Sequence, residues 1–382
     1  MKVLAIGGCG QEGKTVVKEL VESPEVSSVV VADINIENAK RFEAQLGSKK
    51  LSSIQLDVND RERLIETMKA ADVVASFVGP YFKYGVPVIK AAIEAGKNYV
   101  DINDDHDATR NCLALDDLAK RAGITALIGM GASPGATNLF AKYGADKLDQ
   151  VEEIAIRWIV SIADVEDIGV GGTTFHTFHI VDGNHPQFLD GKWVDVPGLS
   201  GAEIVEFPLF GKQETYYTGH SEPVTLPLYI KGVQSVTCKG AAPGFNELWM
   251  ACRELGITGE EPIEVRGMKI VPAEFGAHLI ARMPIPDASL LPPPNSAILT
   301  TVKGTRGDEK VQLKYTVLSP LKMSSVTGIP CAIGILMMGR GDIKTKGVFA
   351  PEGCVDPKKF LAETAKRGIV LEEAEEIVRI VS

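Results

Sequence analysis

The chain has 382 residues, enough for two domains, and its 45% hydrophobic and 24% charged content is ordinary for a globular protein. A net charge of −10 argues against nucleic acid or an anionic membrane as partner. The longest apolar suspect, residues 329–338, is too short to span a bilayer, and no secretory leader is expected, so the expected setting is cytoplasmic. Six cysteines (Cys9, Cys112, Cys238, Cys252, Cys331 and Cys354) form no CxxC pair and no zinc-finger spacing, which reads as reduced, mostly buried thiols.

An apolar run at 3–6 leads into GGCGQEG (Gly7 to Gly13), a helical stretch at 14–21, and a second apolar run at 29–32 that closes on Asp33. Strand, glycine turn, helix, strand and acid in this order form a dinucleotide-binding fingerprint, with Gly8, Gly10 and Gly13 in the GxGxxG places. In this reading Gly8 makes the tight turn, Gly10 lets the backbone approach a pyrophosphate, and Gly13 lets the helix pack on the strand. Cys9, Gln11 and Glu12 complete the turn, and the first helical amides face the phosphates. A carboxylate at Asp33 accepts from both ribose hydroxyls and repels a 2′-phosphate, favouring NAD over NADP. Lys40 and Arg41, soon after it, read as a solvated helix face.

Next come a helix over 37–46 and a strand ending at Asp57 and Val58, where such folds often touch adenine. A helix follows over 61–70, then a strand over 73–78 that stops at GPYFKYG. This loop, with Gly79, Pro80, Tyr81 and Lys83, is the candidate for the nicotinamide half of the cofactor. After a helix over 86–95 and a strand over 98–101 comes an acidic turn, Asn103-Asp104-Asp105-His106. A helix over 108–122 and a strand over 125–128 break at GMGASPGATN. Six alternations of β and α predict an α/β Rossmann domain, a doubly wound parallel sheet, over 1–138.

From about residue 151 the alternation lapses. Strands are expected over 154–162, 224–230, 235–239, 263–270, 298–302 and 311–318, the last two as a hairpin, with helices over 246–255 and 273–282 and a proline-rich connector over 284–294. This predicts a second, α+β domain over 139–322 on a largely antiparallel sheet, supplying substrate and subunit contacts, with a homodimer expected. The tail reads as helices over 324–339, 357–367 and 372–381, packing back on the first domain.

GPYFKYG, YVD and GASPGATNL, with the tail TGIPCAIGILMMGRGDIKTKGVFAPEGCVDPKKF, resemble the saccharopine dehydrogenase family. The resemblance covers both ends of the chain, while 151–318 matches only in length and strand pattern. The family's usual alanine in the turn motif is Cys9 here, and its glycine-glutamate after YVD is replaced by Asn103 to His106. The resemblance implies hydride transfer between a nicotinamide and a C–N bond of an amino acid or amine, of the lysine 6-dehydrogenase or saccharopine type. The alternatives are a homospermidine-synthase-like transferase holding NAD as a prosthetic group, and an NAD-binding protein without turnover.

Such chemistry asks for a base, a carboxylate clamp and a cradle. Asp101 is a candidate base or ammonium counter-ion, or else a cap of the following turn. His106 titrates near neutrality. Lys83 is an acid or carboxylate clamp, or a solvated lysine, and Tyr81 is a cover for the nicotinamide ring. Pro134, Gly135 and Asn138 offer backbone groups to a substrate carboxylate, or form a structural turn, and Arg157 is a clamp candidate on a strand. His176 and His179 in GGTTFHTFH have no third ligand at a recognisable spacing, and neither does His220 with Glu222, so no metal is expected.

Overall fold

The computed structural model describes residues 1–160, 172–243, 246–283, 296–319 and 321–379. The chain divides into two compact units: Met1–Tyr143 with Ser324–Ile369, and Gly144–Met323 with Val370–Ser382.

In the first unit, strands β1 (Lys2–Ile6), β2 (Ser28–Asp33), β3 (Leu51–Gln55), β4 (Val73–Ser76), β5 (Asn98–Asp101) and β6 (Thr125–Leu127) alternate with helices. These are α1 (Gln11–Glu22), α2 (Ile36–Leu46), α3 (Arg61–Lys69), α4 (Tyr81–Ala95), α5 (His106–Leu113), α6 (Asp116–Ala122) and α7 (Ala136–Ala145). Buried on both faces, parallel strands read as unbroken apolar runs, which is why these strands were legible. Local chemistry ends the helices. Asn35 and Asp60 accept amides at the starts of α2 and α3, and left-handed Gly47 and Gly96 stop α2 and α4.

The second unit contains β7 (Gln150–Val160), α8 (Gly172–Val181), β8 (Asn184–Leu189), β9 (Lys192–Pro197), β10 (Glu203–Phe207) and β11 (Gly211–Tyr217). It continues with α9 (Glu222–Tyr229), β12 (Ser235–Ala241), α10 (Asn246–Glu254), β13 (Ile263–Val265), β14 (Met268–Ile270), α11 (Pro272–Ile280), β15 (Ser296–Arg306) and β16 (Glu309–Ser319). The chain then re-enters the first unit as α12 (Met323–Gly339), β17 (Gly347–Phe349), α13 (Pro351–Cys354) and α14 (Pro357–Ala365), and ends on β18 (Leu371–Val378).

The first sheet runs β17-β6-β5-β4-β1-β2-β3, all parallel, with the order reversing between β1 and β4. In such sheets ligands bind outside the carboxyl ends of the strands at the switch point. Register aligns Ala32, Ile6, Ser76 and Asp101 in one row at that edge. One face of this sheet packs Leu4, Ile6, Val74, Tyr99 and Val348 against Leu64, Met68 and Ile89. The second sheet has the path β10-β11-β12-β7-β15-β16-β18, with β8 paired to β12 and β9 to β8; among the described residues only β12 and β7 pair in parallel. It is therefore the largely antiparallel sheet expected.

Several expected elements differ. Residues 224–230 lie in α9, not a strand: Pro223 pre-sets its first turn, and the apolar run is buried as a helix. The strand expected over 263–270 is a hairpin, folded by Arg266 and Gly267 at φ +52° and +80°. The helix expected over 372–381 is the edge strand β18, paired along β16; tertiary pairing overrides the helix preference of its glutamates. The tail thus divides, with Ser324–Ile369 in the first unit and the segment from Val370 in the second. The helix expected over 108–122 is two helices, α5 and α6, and GPYFKYG is the first turn of α4 rather than a loop. The proline-rich connector over 284–294 lies outside the described residues.

One glycine of the second sheet marks a register shift. A Cβ on Gly304 would stand 1.9 Å from the Gln150 carbonyl oxygen, where the β15–β7 pairing slips. Gly304→Ala is expected to cost about 1–3 kcal/mol in denaturant unfolding. Gly307, left-handed with open space around it, is expected to accept asparagine within about 0.5 kcal/mol.

Candidate functional site

The glycine turn joins β1 to α1 by bare backbone. Gly7, not Gly8, takes the left-handed conformation, at φ +71°. A Cβ on Gly8 would lie 2.9 Å from the Ala5 Cβ, and one on Gly13 would lie 2.8 Å from the Gly7 carbonyl oxygen and the Gly8 Cα. Gly8 and Gly13 are therefore close-packing positions, and the turn itself belongs to Gly7. Gly10 is exposed and starts α1 without a side-chain cap. No side chain at Gly10 covers the first amides of α1, in contrast to Asn35 and Asp60 at the starts of α2 and α3.

Asp33 ends β2 with its carboxylate already oriented. Oδ1 accepts from the Asn35 amide at 2.9 Å, and Oδ2 accepts the Cys9 thiol at 3.0 Å. Burial, and next the Asp33 hydrogen bond, push the Cys9 thiol up to about 12, so it stays a donor. Asp57 and Val58 lie half-buried just past β3, whose Gln55 pairs with Asp33. Half-buried Gly79 and Pro80, joined by a cis peptide bond, stand just past β4. A Cβ on Gly7 would lie 3.1 Å from the Phe77 carbonyl, so the two strand ends meet closely.

Tyr81 and Lys83 have different surroundings. The buried Tyr81 hydroxyl donates to the Ser76 carbonyl at 3.0 Å, tying α4 to β4, and burial pushes its phenol upward. Lys83 is exposed, with its Nζ 5.2 Å from the Tyr84 ring centroid. Asp101 is fully buried and accepts from the Gly129 amide at 2.8 Å and the Asn103 amide at 3.0 Å. Of its two readings, the geometry gives the turn cap. Burial raises its carboxyl to about 6, against the opposing pull of those two amides. Asn103 accepts the Asp105 amide and donates to Thr109, while Asp105 accepts the Phe82 amide at 2.9 Å and so caps α4. His106 is the half-buried first residue of α5.

Pro134, Gly135 and Asn138 are buried in a closed turn. Gly131 donates to the Pro134 carbonyl, and the Gly135 amide donates to Asn138 Oδ1 at 2.9 Å. A Cβ on Gly135 would fall 2.1 Å from the Gly131 oxygen, so the structural-turn reading fits. The sequence reading missed α12 as a neighbour of the cofactor turn. A Cβ on Gly328 would stand 2.7 Å from Thr15 Cβ and 3.2 Å from the Glu12 carbonyl, so α12 lies against the first turns of α1. The glycine in TGIPCAIG was the available signal.

In the second unit, Arg157 is buried on β7, giving Nη1 to Thr237 Oγ1 and to the Ile156 carbonyl, and Nη2 to Glu203 at 2.8 Å. Lys239 reaches the same Glu203 oxygen at 2.7 Å, and the two cations hold that carboxyl below its usual range against the effect of burial. Arg157 is thus already engaged by a carboxylate of its own unit. On the opposite sheet face, His220, Glu222 and Cys238 bring their ligand atoms within 4.8 Å of one another. His176 packs edge-on to His220, whereas His179 turns to Glu260. Among the described residues no helix is long and apolar enough to cross a membrane.

Comparison with known proteins fits this arrangement. Residues 3–127 match the model of the saccharopine dehydrogenase NADP-binding domain, and residues 174–369 match that of the saccharopine dehydrogenase C-terminal domain. Carboxyaminopropylagmatine dehydrogenase of Synechocystis is 26% identical over 97% of this chain and 96% of its own. Carboxynorspermidine synthase of Vibrio cholerae is 23% identical over the same shares. Apo saccharopine dehydrogenase (L-Glu forming) of Saccharomyces cerevisiae has the same fold, with a TM-score of 0.69 at 18% identity, covering 98% of this chain and 99% of that one.

Two outcomes follow from the geometry. Gly13→Ala pushes α1 off the turn, and calorimetry is expected to show nicotinamide nucleotide affinity down roughly tenfold or more. Asp101 holds its proton more tightly folded, at about 6, than at its ordinary 3.8, so raising the pH between those values costs the folded state stability. Asp101→Asn keeps an oxygen for both amides and lacks this titration. Wild type is expected to lose about 3 kcal/mol relative to it from about pH 4 to about pH 7 in denaturant unfolding.

Proposed function

Because the chain belongs to the saccharopine dehydrogenase family, a family of nicotinamide-dependent oxidoreductases, we propose that it is an NAD-dependent dehydrogenase acting on a C–N bond of an amine that carries a carboxyl group. A hydride passes from the carbon of the C–N bond to the nicotinamide, and the nitrogen gives up a proton. The resulting imine is then split by water to a carbonyl and a free amine. The reverse direction is reductive condensation. The two relatives matched along nearly their whole length are named for carboxy-substituted amines, which supports this substrate class.

The observation that carries the cofactor reading is Asp33 at the end of β2. Its carboxylate is held by Cys9 and by the Asn35 amide, and it suits a ribose diol. The family model is described as NADP-binding, but a 2′-phosphate beside this carboxylate would meet like charge. In this reading the chain's own residues bind and orient. The α1 amides hold the pyrophosphate, Asp33 holds the ribose, and the turn after β4 borders the nicotinamide half.

The test is a panel of lysine, saccharopine and carboxylated polyamines, with NAD and NADP, followed by the absorbance of the reduced nicotinamide. Reduction of NAD in preference to NADP with at least one amine is expected. Asp33→Ser is expected to raise KM for NAD by roughly tenfold or more while lowering that for NADP. Absence of reduction with every amine, together with no binding heat from either nucleotide, overturns the reading.

A further inference from the structure

We propose that His220, Glu222 and Cys238 form a binding site for a zinc-class divalent metal in the second unit, with one coordination position left for water or an amine nitrogen. Cys238 lies on β12, Glu222 is the first residue of α9, which packs on that strand, and His220 lies two residues before it. All three are buried, with Glu222 fully so. Imidazole, carboxylate and thiol together suit zinc, and three protein ligands with an open fourth position are the pattern of sites that bind an exchangeable ligand.

The spacing supports coordination. His220 Nδ1 and Glu222 Oε2 are 3.6 Å apart, too long for a good hydrogen bond. It is near the edge of a tetrahedron with bonds of about 2.1 Å, which is about 3.4 Å. Cys238 Sγ completes the triangle within 4.8 Å. A second, independent observation concerns the sulfur. Trp158 Nε1 and Thr218 Oγ1 are buried donors that reach no hydrogen-bond partner within standard geometry. Both stand beside the Cys238 thiol. Donors aimed at a sulfur are what surrounds a metal-bound thiolate. Metal binding exchanges the thiol proton for the cation.

Chelator-treated full-length chain titrated with zinc is expected to bind one equivalent per chain by calorimetry. Cobalt(II) in its place is expected to show a thiolate-to-metal charge-transfer band and the strong visible bands of tetrahedral cobalt. Cys238→Ser is expected to lose the charge-transfer band and weaken zinc by more than the roughly tenfold typical of losing an outer-sphere partner, with circular dichroism reporting its fold. Glu222→Gln is expected to weaken zinc comparably yet keep the charge-transfer band, which covers the case in which Cys238→Ser does not fold. No zinc heat and no cobalt band in wild type overturn the proposal, as do bands and affinities unchanged in both variants. None of these readouts depends on turnover or on nicotinamide.

Discussion

The first unit depends on a place where no side chain fits. Between β1 and α1 the backbone crosses itself so closely that a methyl group at Gly8 or Gly13 would overlap Ala5 or the Gly7 carbonyl. That contact sets the distance of α1 from the sheet and leaves its first amides at the carboxyl edge, where the strand order reverses. A third helix exploits the same economy, since Gly328 lets α12 lie against Thr15 and the backbone of Glu12. The turn is therefore mostly main chain, and beside it a single carboxylate, Asp33, is oriented by Cys9 and the Asn35 amide.

The edge has a second half of opposite character. Past β5 the chain is dense in acids, and dense acids suggest a place for a cation. Two of them accept amides: Gly129 and Asn103 on Asp101 Oδ1, Phe82 on Asp105. A carboxyl buried as deeply as Asp101 loses hydration, and two amide donors only partly offset that loss. The turn is built as a brace holding β5, α4 and the GASPG turn in register.

Legibility followed the physics of burial. Apolar runs between glycine turns gave the parallel strands, because both faces of that sheet are covered. The same cue misled at 224–230, where a run equally apolar is a buried helix started by Pro223. It also failed at 372–381, where glutamates that favour a helix instead line the outer edge of a sheet, held by pairing to β16. The glycine-turn fingerprint from Gly7 to Asp33 could be read because all of it lies within one βαβ unit. The directions of Tyr81 and Lys83 could not be read, because they depend on where α4 begins. Cys238 could not be tied to His220 and Glu222, because only the pairing of β12 beside α9 makes them neighbours.

The strand β17 closes the far edge of the first sheet, pairing with β6 and anchored where the Thr125 hydroxyl donates to the Thr345 carbonyl. These two threonines are 220 positions apart along the chain. During synthesis, the first unit therefore waits with β6 as a bare edge while Gly144–Met323 of the second unit emerges from the ribosome. An unpaired edge of that kind invites pairing with other chains. A nascent chain halted before residue 347 would present that sticky border, and the late strand acts as the clasp that ends the exposure.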